Sequence, residues 1–287
     1  MSISGQNLSI VIVTLKSEKI IHECIKTIDH NIPVIVVENS NNQKFKHDLE
    51  SKYKNLKCIL SGSNLGMGAG NNVGIKATTT DYVFILNPDA TLEPNTLDEL
   101  FLASKKLSEF TILSPINVDL NFPNYKTKEA PRDEDTPFQV DYVDGFSMLL
   151  NKKNFNDTYF DENFFLYLEN DDLCLRIRKT GGSIFIIPNA KINHKGAKAV
   201  DPKYEKEIEL SRNWHWIWSK FYFNKKHYGF LKAFIEGFPR FFLSIFKYLF
   251  FLLTNNKTKK KIYLNRALGF YNAAIGKSSW YRPNLED

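Results

Sequence analysis

The residues able to do chemistry in this chain cluster just after apolar runs. Glu38 and Asn39 follow the run 33–37, Asn87-Pro88-Asp89 follows 82–86, and His194 comes soon after 184–187. A denser acidic group, Glu169-Asn170-Asp171-Asp172, opens a stretch of helical periodicity behind Phe165-Leu166-Tyr167-Leu168. Carboxylates are hard oxygen donors that hold Mg2+ or Mn2+, usually one or two at a time beside substrate phosphates. A carboxylate or histidine within hydrogen-bond reach of a hydroxyl also serves as a general base. Each residue has a plainer use. Asp89 can be a turn residue after Pro88, and Glu38 a solvent-facing loop carboxylate. His194 can be an ordinary hydrogen-bonded histidine, and 170–172 a helix cap that complements the dipole.

These positions call for a sheet whose strands end on one edge. The run 9–14, Ser-Ile-Val-Ile-Val-Thr, is short, apolar and β-branched, as a strand covered on both faces must be. Ile20, Ile21, Cys24, Ile25 and Ile28 then recur at helical spacing, and Ser17 is placed to cap that helix. Further strands are expected at 33–37, 57–60, 82–86 and 111–116, with a helix marked by Leu97, Leu100, Phe101 and Leu107. Strands separated by helices build right-handed βαβ units and a mostly parallel sheet, whose ligands gather at the carboxyl ends. Segment 118–138 is polar and proline-bearing, a surface loop. Strand character returns over 140–150 around Asp144-Gly145, where the glycine permits close backbone approach or marks a bulge. Residues 170–179 read as a helix closed by Gly181-Gly182.

Glycines 66, 68, 70 and 74 read as a loop over 66–74 whose backbone N–H groups approach phosphate or sugar, with Asn71 or Asn72 capping the helix beyond. The spacing is GxGxG rather than GxGxxG and follows the third strand, which excludes a dinucleotide-binding dehydrogenase. Thr14-Leu15-Lys16-Ser17 lacks the glycine that a nucleotidyltransferase would want after its first strand. With 287 residues, 43% of them hydrophobic, the chain can bury one large core and a small appended piece. The net charge of +6 suits nucleotide phosphates, anionic lipid or nucleic acid without choosing among them. No nucleic-acid motif is present, so nucleic acid is not an expected partner. Cys24, Cys58 and Cys174 are odd in number and form no CxxC pair, which argues for a reducing, cytoplasmic setting without disulfides or a cysteine zinc site. Residues 1–8 lack the features of a signal peptide.

Taken in order, the motifs resemble the family 2 glycosyltransferases, and in detail their bacterial rhamnosyltransferase-like branch. The resemblance runs over about residues 8–200. It rests on 9–14, Val37-Glu38-Asn39-Ser40, Leu86-Asn87-Pro88-Asp89 and the glycine-rich 64–74. Phe160-Asp161-Glu162, the Phe165-Leu166-Tyr167 to Asp172-Leu173-Cys174 segment and His194 complete it. It implies an α/β fold of the GT-A nucleotide-diphospho-sugar transferase type over 1–210. Its mostly parallel central sheet is flanked by helices, and a C-terminal aromatic and basic helical extension follows over 211–287. The boundary lies near 205–213.

The implied activity is inverting, metal-dependent transfer of a sugar from a nucleoside diphosphate sugar to a hydroxyl of a glycan or lipid-linked acceptor in bacterial surface polysaccharide synthesis. dTDP-rhamnose is the donor the branch suggests. The resemblance assigns Thr14, Glu38, Asn64, Gly66, Gly70, Asn71, Asn87 and Asp89 to the donor. It makes Asp89 and His194 the ligands of Mn2+ or Mg2+, the imidazole tilting the site toward Mn2+. It sets Asp144 and Gly145 on the acceptor side. Two positions depart from the family pattern. Glu38 stands where Asp is usual, and Asn170 stands where Glu-Asp-x-Asp has its base. An amide accepts no proton at neutral pH, so Glu169, Asp171 or Asp172 takes that role, with Glu169 favoured for adjacency and reach. The alternative is a catalytically impaired sugar-nucleotide or glycan-binding protein on the same fold.

The tail has its own pattern. Over 228–253 nearly every residue is apolar or aromatic, with Lys232, Glu236, Arg240, Ser244 and Lys247 forming one narrow polar stripe at helical spacing. Pro239 is expected to break or kink it. The uninterrupted part is too short to span a bilayer, so the segment reads as an interfacial amphipathic hairpin. Lys257, Lys259, Lys260 and Lys261 follow, suited to anionic lipid heads on the inner face of the cytoplasmic membrane. The plainer reading is packing on the catalytic domain or on a second subunit of an oligomer.

Overall fold

The computed structural model of the protein describes residues 7–107, 109–119, 121–127, 135–194, 196 and 199–285. The chain divides into two compact units, Met1–Asp161 with Asn170–Asp201 and Glu162–Glu169 with Pro202–Asp287.

The first unit opens β1(Leu8–Thr14), α1(Ile21–Ile25), β2(Val34–Glu38), α2(Gln43–Lys52), β3(Leu56–Leu60), α3(Met67–Lys76) and β4(Tyr82–Leu86). Then come β5(Ala90–Leu92), α4(Thr96–Lys106), β6(Phe110–Asn117), β7(Tyr125–Lys126), β8(Phe138–Gln139), β9(Tyr142–Val143), β10(Ser147–Asn151), α5(Glu169–Lys179) and β11(Ser183–His194). The main sheet runs β3-β2-β1-β4-β10-β6-β11-β5, with β8 beside β11. β3, β2, β1 and β4 are mutually parallel, as are β6 and β11, while β10 lies antiparallel between β4 and β6. Every residue of β1 and β2 is buried, as their unbroken β-branched runs require. The two-residue period of β1 divides the core. Ile10 and Ile12 face a cluster with α1, α2 and α4, whereas Val11 and Val13 face one with α3 and α5. The register pairs Thr14 with Glu38 and Glu38 with Leu60, so three strands end in line.

Several local expectations are corrected. Helix α1 is five residues long and has no side-chain cap, because the Ser17 hydroxyl closes a turn on Leu15 instead. The 66–74 segment is not one loop. The helix starts at Met67, which puts Gly70, Asn71 and Asn72 inside it and leaves neither asparagine as a cap. The glycines answer a packing need. A Cβ on Gly74 would lie 2.3 Å from Val11 Cγ1, and one on Gly70 would lie 2.9 Å from Val13 Cγ1, so α3 rests directly on β1. The single strand expected over 140–150 is β9 and β10 joined by a turn at Gly145-Phe146. The 118–138 loop lies partly outside the described residues, and its described part contributes β7 and the start of β8. All three cysteines are free and buried.

The second unit holds α6(Glu205–Tyr228), α7(Phe230–Leu253) and α8(Lys257–Ala274). Trp214, Trp218, Phe221, Ala233, Phe270 and Ala273 form its core. Gly229, at φ 92°, separates α6 from α7. Pro239 does not break the segment, and α7 runs through it as one helix. The proline removes one backbone bond, to the carbonyl of Ile235, and both residues lie on the exposed side of the helix. Among the described residues no helix is long and apolar enough to cross a membrane.

The α3–β1 contact gives a direct test. Gly74→Ala is expected to lower unfolding free energy in urea by about 1–3 kcal/mol through overpacking against Val11. An unchanged midpoint would show that the contact yields freely.

Candidate active site

β4 and β11 reach the carboxyl edge from distant parts of the sequence. β5 pairs antiparallel with β11 and sets Ala90 opposite His194, which brings the imidazole onto the residue just before Ala90. His194 Nε2 lies 3.3 Å from Asp89 Oδ1, and the Asp89 side chain is 1% exposed. The imidazole stacks on Phe146, with centroids 4.0 Å apart and planes at 15°. Its buried Nε2 makes no hydrogen bond despite that proximity. Two ligands side by side on an ion with ~2.1 Å bonds stand ~3 Å apart, so the pair fits two positions of a hard divalent cation. Among the described residues no group of three or more His, Cys, Asp or Glu is arranged around a metal position. Two protein ligands leave the rest of the coordination to substrate oxygens and water, which is usual for Mg2+.

The neighbouring loop is built for rigidity. Asn87 N–H donates to the Phe146 carbonyl, tying the exit of β4 to the start of β10. Thr14 is fully buried and its hydroxyl donates to the Val37 carbonyl at 3.4 Å. Glu38 is fully buried, but its carboxylate turns onto its own loop, accepting from Ser40 N–H, the Ser40 hydroxyl and Asn42 N–H. In this geometry Glu38 shapes the turn after β2. Asn39, which the motif contains without a role assigned to it, reaches across and donates to the Gly66 carbonyl at 3.0 Å. Gly66 has φ 83°, and its N–H donates to Asn64 Oδ1. Asn72 exchanges two hydrogen bonds with the Phe160 backbone, and Asn71 is buried within α3.

On the far side stand Asp144, Gly145 and the first turn of α5. Asn170 Nδ2 donates to the Val143 carbonyl at 3.1 Å, and a Cβ on Gly145 would lie 3.4 Å from Asn170 Cβ. The amide therefore does what a carboxylate at this position cannot, since a carboxylate has no proton to give that carbonyl. Asp172 is fully buried and its Oδ2 accepts from Arg176 at 2.8 Å, one turn along the helix. The Asp171 carboxyl is 3.9 Å from Lys126 Nζ. Burial raises its pKa above the usual carboxylate value, against the pull of Lys126. Desolvation, then the charge of Asp171, raises the Asp144 carboxyl as well, with Lys126 and His194 opposing. Asp144 is an exposed residue, although neighbours crowd its carboxyl. Two carboxyls whose pKa values are raised chiefly by burial mark this as chemically poised ground.

Residues 162–169 belong to the helical unit, and there the backbone just before Glu169 is strained. Tyr167 and Leu168 have φ 69° and 66°, left-handed values that bulky side chains rarely adopt. Packing within that unit holds them. The buried Ser219 hydroxyl donates to the Leu166 carbonyl at 2.8 Å. Phe165 lies between His215, at 4.5 Å, and the Arg282 guanidinium, 3.7 Å from its ring centre. Tyr167 meets Trp216 edge-on. His215 Nε2 lies 2.8 Å from the Tyr281 carbonyl, so it is the donor, and Nδ1 accepts from Ser279. Burial drives this imidazole's pKa down to about 3, which keeps it neutral. The aromatic spacing after 213 was legible in the sequence, but its partner segment at 164–167 was not.

Two outcomes follow for α5. Asn170→Asp is expected to cost about 1–3 kcal/mol of stability by setting an acceptor against the Val143 carbonyl, with no gain in turnover; a more active variant would make position 170 the natural base position. The folded state disfavours ionised Asp171, so this group's contribution to stability is fullest when protonated and falls as pH rises above roughly 4. Asp171→Asn is therefore expected to raise the melting temperature at neutral pH and to leave it unchanged in acid below that range. A lower melting temperature at neutral pH would mean that the Lys126 contact outweighs burial.

Comparison with known proteins gives the chain a family. Residues 9–174 match the family described as Glycosyl transferase family 2. The chain is 28% identical over 195 residues to the low-salt glycan biosynthesis hexosyltransferase Agl10 of Haloferax volcanii, an alignment covering 60% of this chain and 62% of that protein. It is 25% identical over 212 residues to the rhamnosyltransferase WbbL of Escherichia coli K12, covering 62% of this chain and 80% of that protein. To the N-acetylglucosaminyl-diphospho-decaprenol L-rhamnosyltransferase of Mycobacterium tuberculosis it is 22% identical over 206 residues, covering 58% and 67%. The crystal structure of Staphylococcus aureus TarS 1-349, solved also in complex with UDP, has the same fold, with a TM-score of 0.52, 15% identity and coverage of 98% of this chain and 94% of that one. The α/β sheet, the order of its motifs and the family match over 9–174 lead to one conclusion: the chain belongs to glycosyl transferase family 2.

Proposed function

We propose that the protein is an inverting glycosyltransferase that moves a sugar from a nucleoside diphosphate donor to a hydroxyl of a glycan or lipid-linked acceptor. The observation that carries the reading is the Asp89–His194 pair, 3.3 Å apart at the sheet's carboxyl edge, with the poised carboxyls of Asp144 and Asp171 in the same unit. Asp89 and His194 are the residues that would hold a divalent cation. Such an ion would neutralise negative charge growing on the departing diphosphate. Thr14, Asn39 and the Asn64–Gly66 turn line the donor side.

The acceptor hydroxyl attacks the anomeric carbon as the bond from that carbon to the diphosphate oxygen breaks. The oxygen leaves with the electron pair, the hydroxyl proton passes to a carboxylate, and the anomeric configuration inverts. Sequence reasoning favours Glu169 for the base. The geometry favours Asp171, because burial raises its proton affinity toward that of an effective neutral-pH base. Asp172 is committed to Arg176 and is left out of the proton transfer. The donor sugar is dTDP-rhamnose or another hexose nucleotide, in keeping with the names of the relatives. The pathway is surface glycan assembly, on the cytoplasmic side where nucleotide sugars are made.

The test is nucleotide release from dTDP-rhamnose, UDP-glucose and UDP-N-acetylglucosamine with Mn2+, with Mg2+ or with chelator. Release from one donor that needs the ion, and that falls on the order of 100-fold in Asp89→Asn, is the expected result. Full activity of Asp89→Asn would remove the ion-holding role. Absence of both release and calorimetric binding for every donor would favour a protein that binds glycan alone.

A further inference from the structure

The helical unit leaves one face of α7 uncovered. Ala233 and Ser244 turn inward and are buried, whereas Leu231, Ile235, Phe242, Phe246, Leu249 and Leu253 are 49–86% exposed. At 3.6 residues per turn these six fall within an arc of about 60–80°, so they form one straight stripe. Because α7 continues through Pro239, the stripe runs the full length of the helix. An exposed apolar strip of this size on a helix calls for a covering partner.

The charges around it name the partner. Exposed Lys225 and Lys226 close α6 just before the stripe begins, and Lys257, Lys259 and Lys261 stand exposed just after it ends. From 210 to 285 the chain carries fourteen lysines and arginines and a single acid, Glu236. A second copy of the chain is a poor occupant, because both ends of the stripe are cationic. Two stripes laid together would set like charge against like charge in either direction. An anionic lipid surface satisfies both features, with acyl chains under the stripe and phosphate heads against the lysines.

We propose that α7 lies in the plane of an anionic bilayer, its stripe buried at the headgroup boundary and its lysine-bearing ends on the lipid phosphates. This goes beyond the transferase reading and holds whether or not that reading does. The test is co-sedimentation of the full chain with vesicles of phosphatidylcholine alone and of phosphatidylcholine with phosphatidylglycerol. Phe242→Glu/Phe246→Glu alters only exposed positions, and a Lys257, Lys259, Lys260, Lys261→Gln variant removes the charge at one end. Wild type is expected on the anionic vesicles only. The double-Glu variant should stay in the supernatant at every salt concentration, and the Gln variant should bind roughly 1,000-fold more weakly. Unchanged melting temperatures would show both variants folded. Wild-type protein remaining in solution with anionic vesicles, or binding both vesicle types alike, would overturn the proposal. So would a vesicle-free dimer in sedimentation velocity that Phe242→Glu/Phe246→Glu dissociates, which would make a second copy the occupant.

Discussion

The site depends on one pairing, that of β5 with β11. Ala90 opposite His194 is a backbone register, fixed by sheet hydrogen bonds rather than by the side chains that use it. A slip of one residue would turn His194 to the other face and undo the 3.3 Å approach to Asp89. The fold defends that register from both sides. Pro88 ends β4 and lets the chain turn into β5, while Asn87 is tied to Phe146, whose ring is also the platform under His194. A short loop, a proline and one aromatic ring thus deliver a carboxylate and an imidazole from opposite ends of the unit.

Much of this arrangement was legible in the residues. The β-branched runs announced the central strands, and polar residues after those runs located the working edge. Asp89 and His194 were both visible as candidates, though their meeting is a matter of β5–β11 topology that no local pattern encodes. The glycine-rich segment shows where composition misleads. Its glycines are required by contact with Val11 and Val13, a long-range fact, and so the run that looked like a phosphate loop is a helix lying on β1. Nothing in Val-Glu-Asn-Ser says that the Glu38 carboxylate will bond its own loop. Asn170 was legible only as a departure. The bond from its amide to Val143 supplies the physical reason for it.

The electrostatics concentrate where the packing is least forgiving. Burial raises the cost of ionising both Asp144 and Asp171, and the charge of Asp171 adds to that of Asp144. Backbone strain appears in the chain just before the same helix, at Tyr167 and Leu168, where tryptophan, histidine, serine and arginine contacts of the helical unit hold it. Stability given up at particular residues and recovered by surrounding packing is the usual signature of a site shaped for use. The core of the three helices thus holds segment 162–169 within its own unit.

The central claim is that Asp89 and His194 together form the protein's half of an ion site completed by a diphosphate. Calorimetric titration with UDP and with dTDP, each with Mn2+ or with chelator, tests it most directly, because it needs no acceptor and no turnover. The account predicts binding of at least one nucleotide that requires Mn2+ and disappears in His194→Ala, a variant whose melting temperature should stay near that of the wild type. Equal binding with chelator, or binding undiminished in His194→Ala, would contradict it.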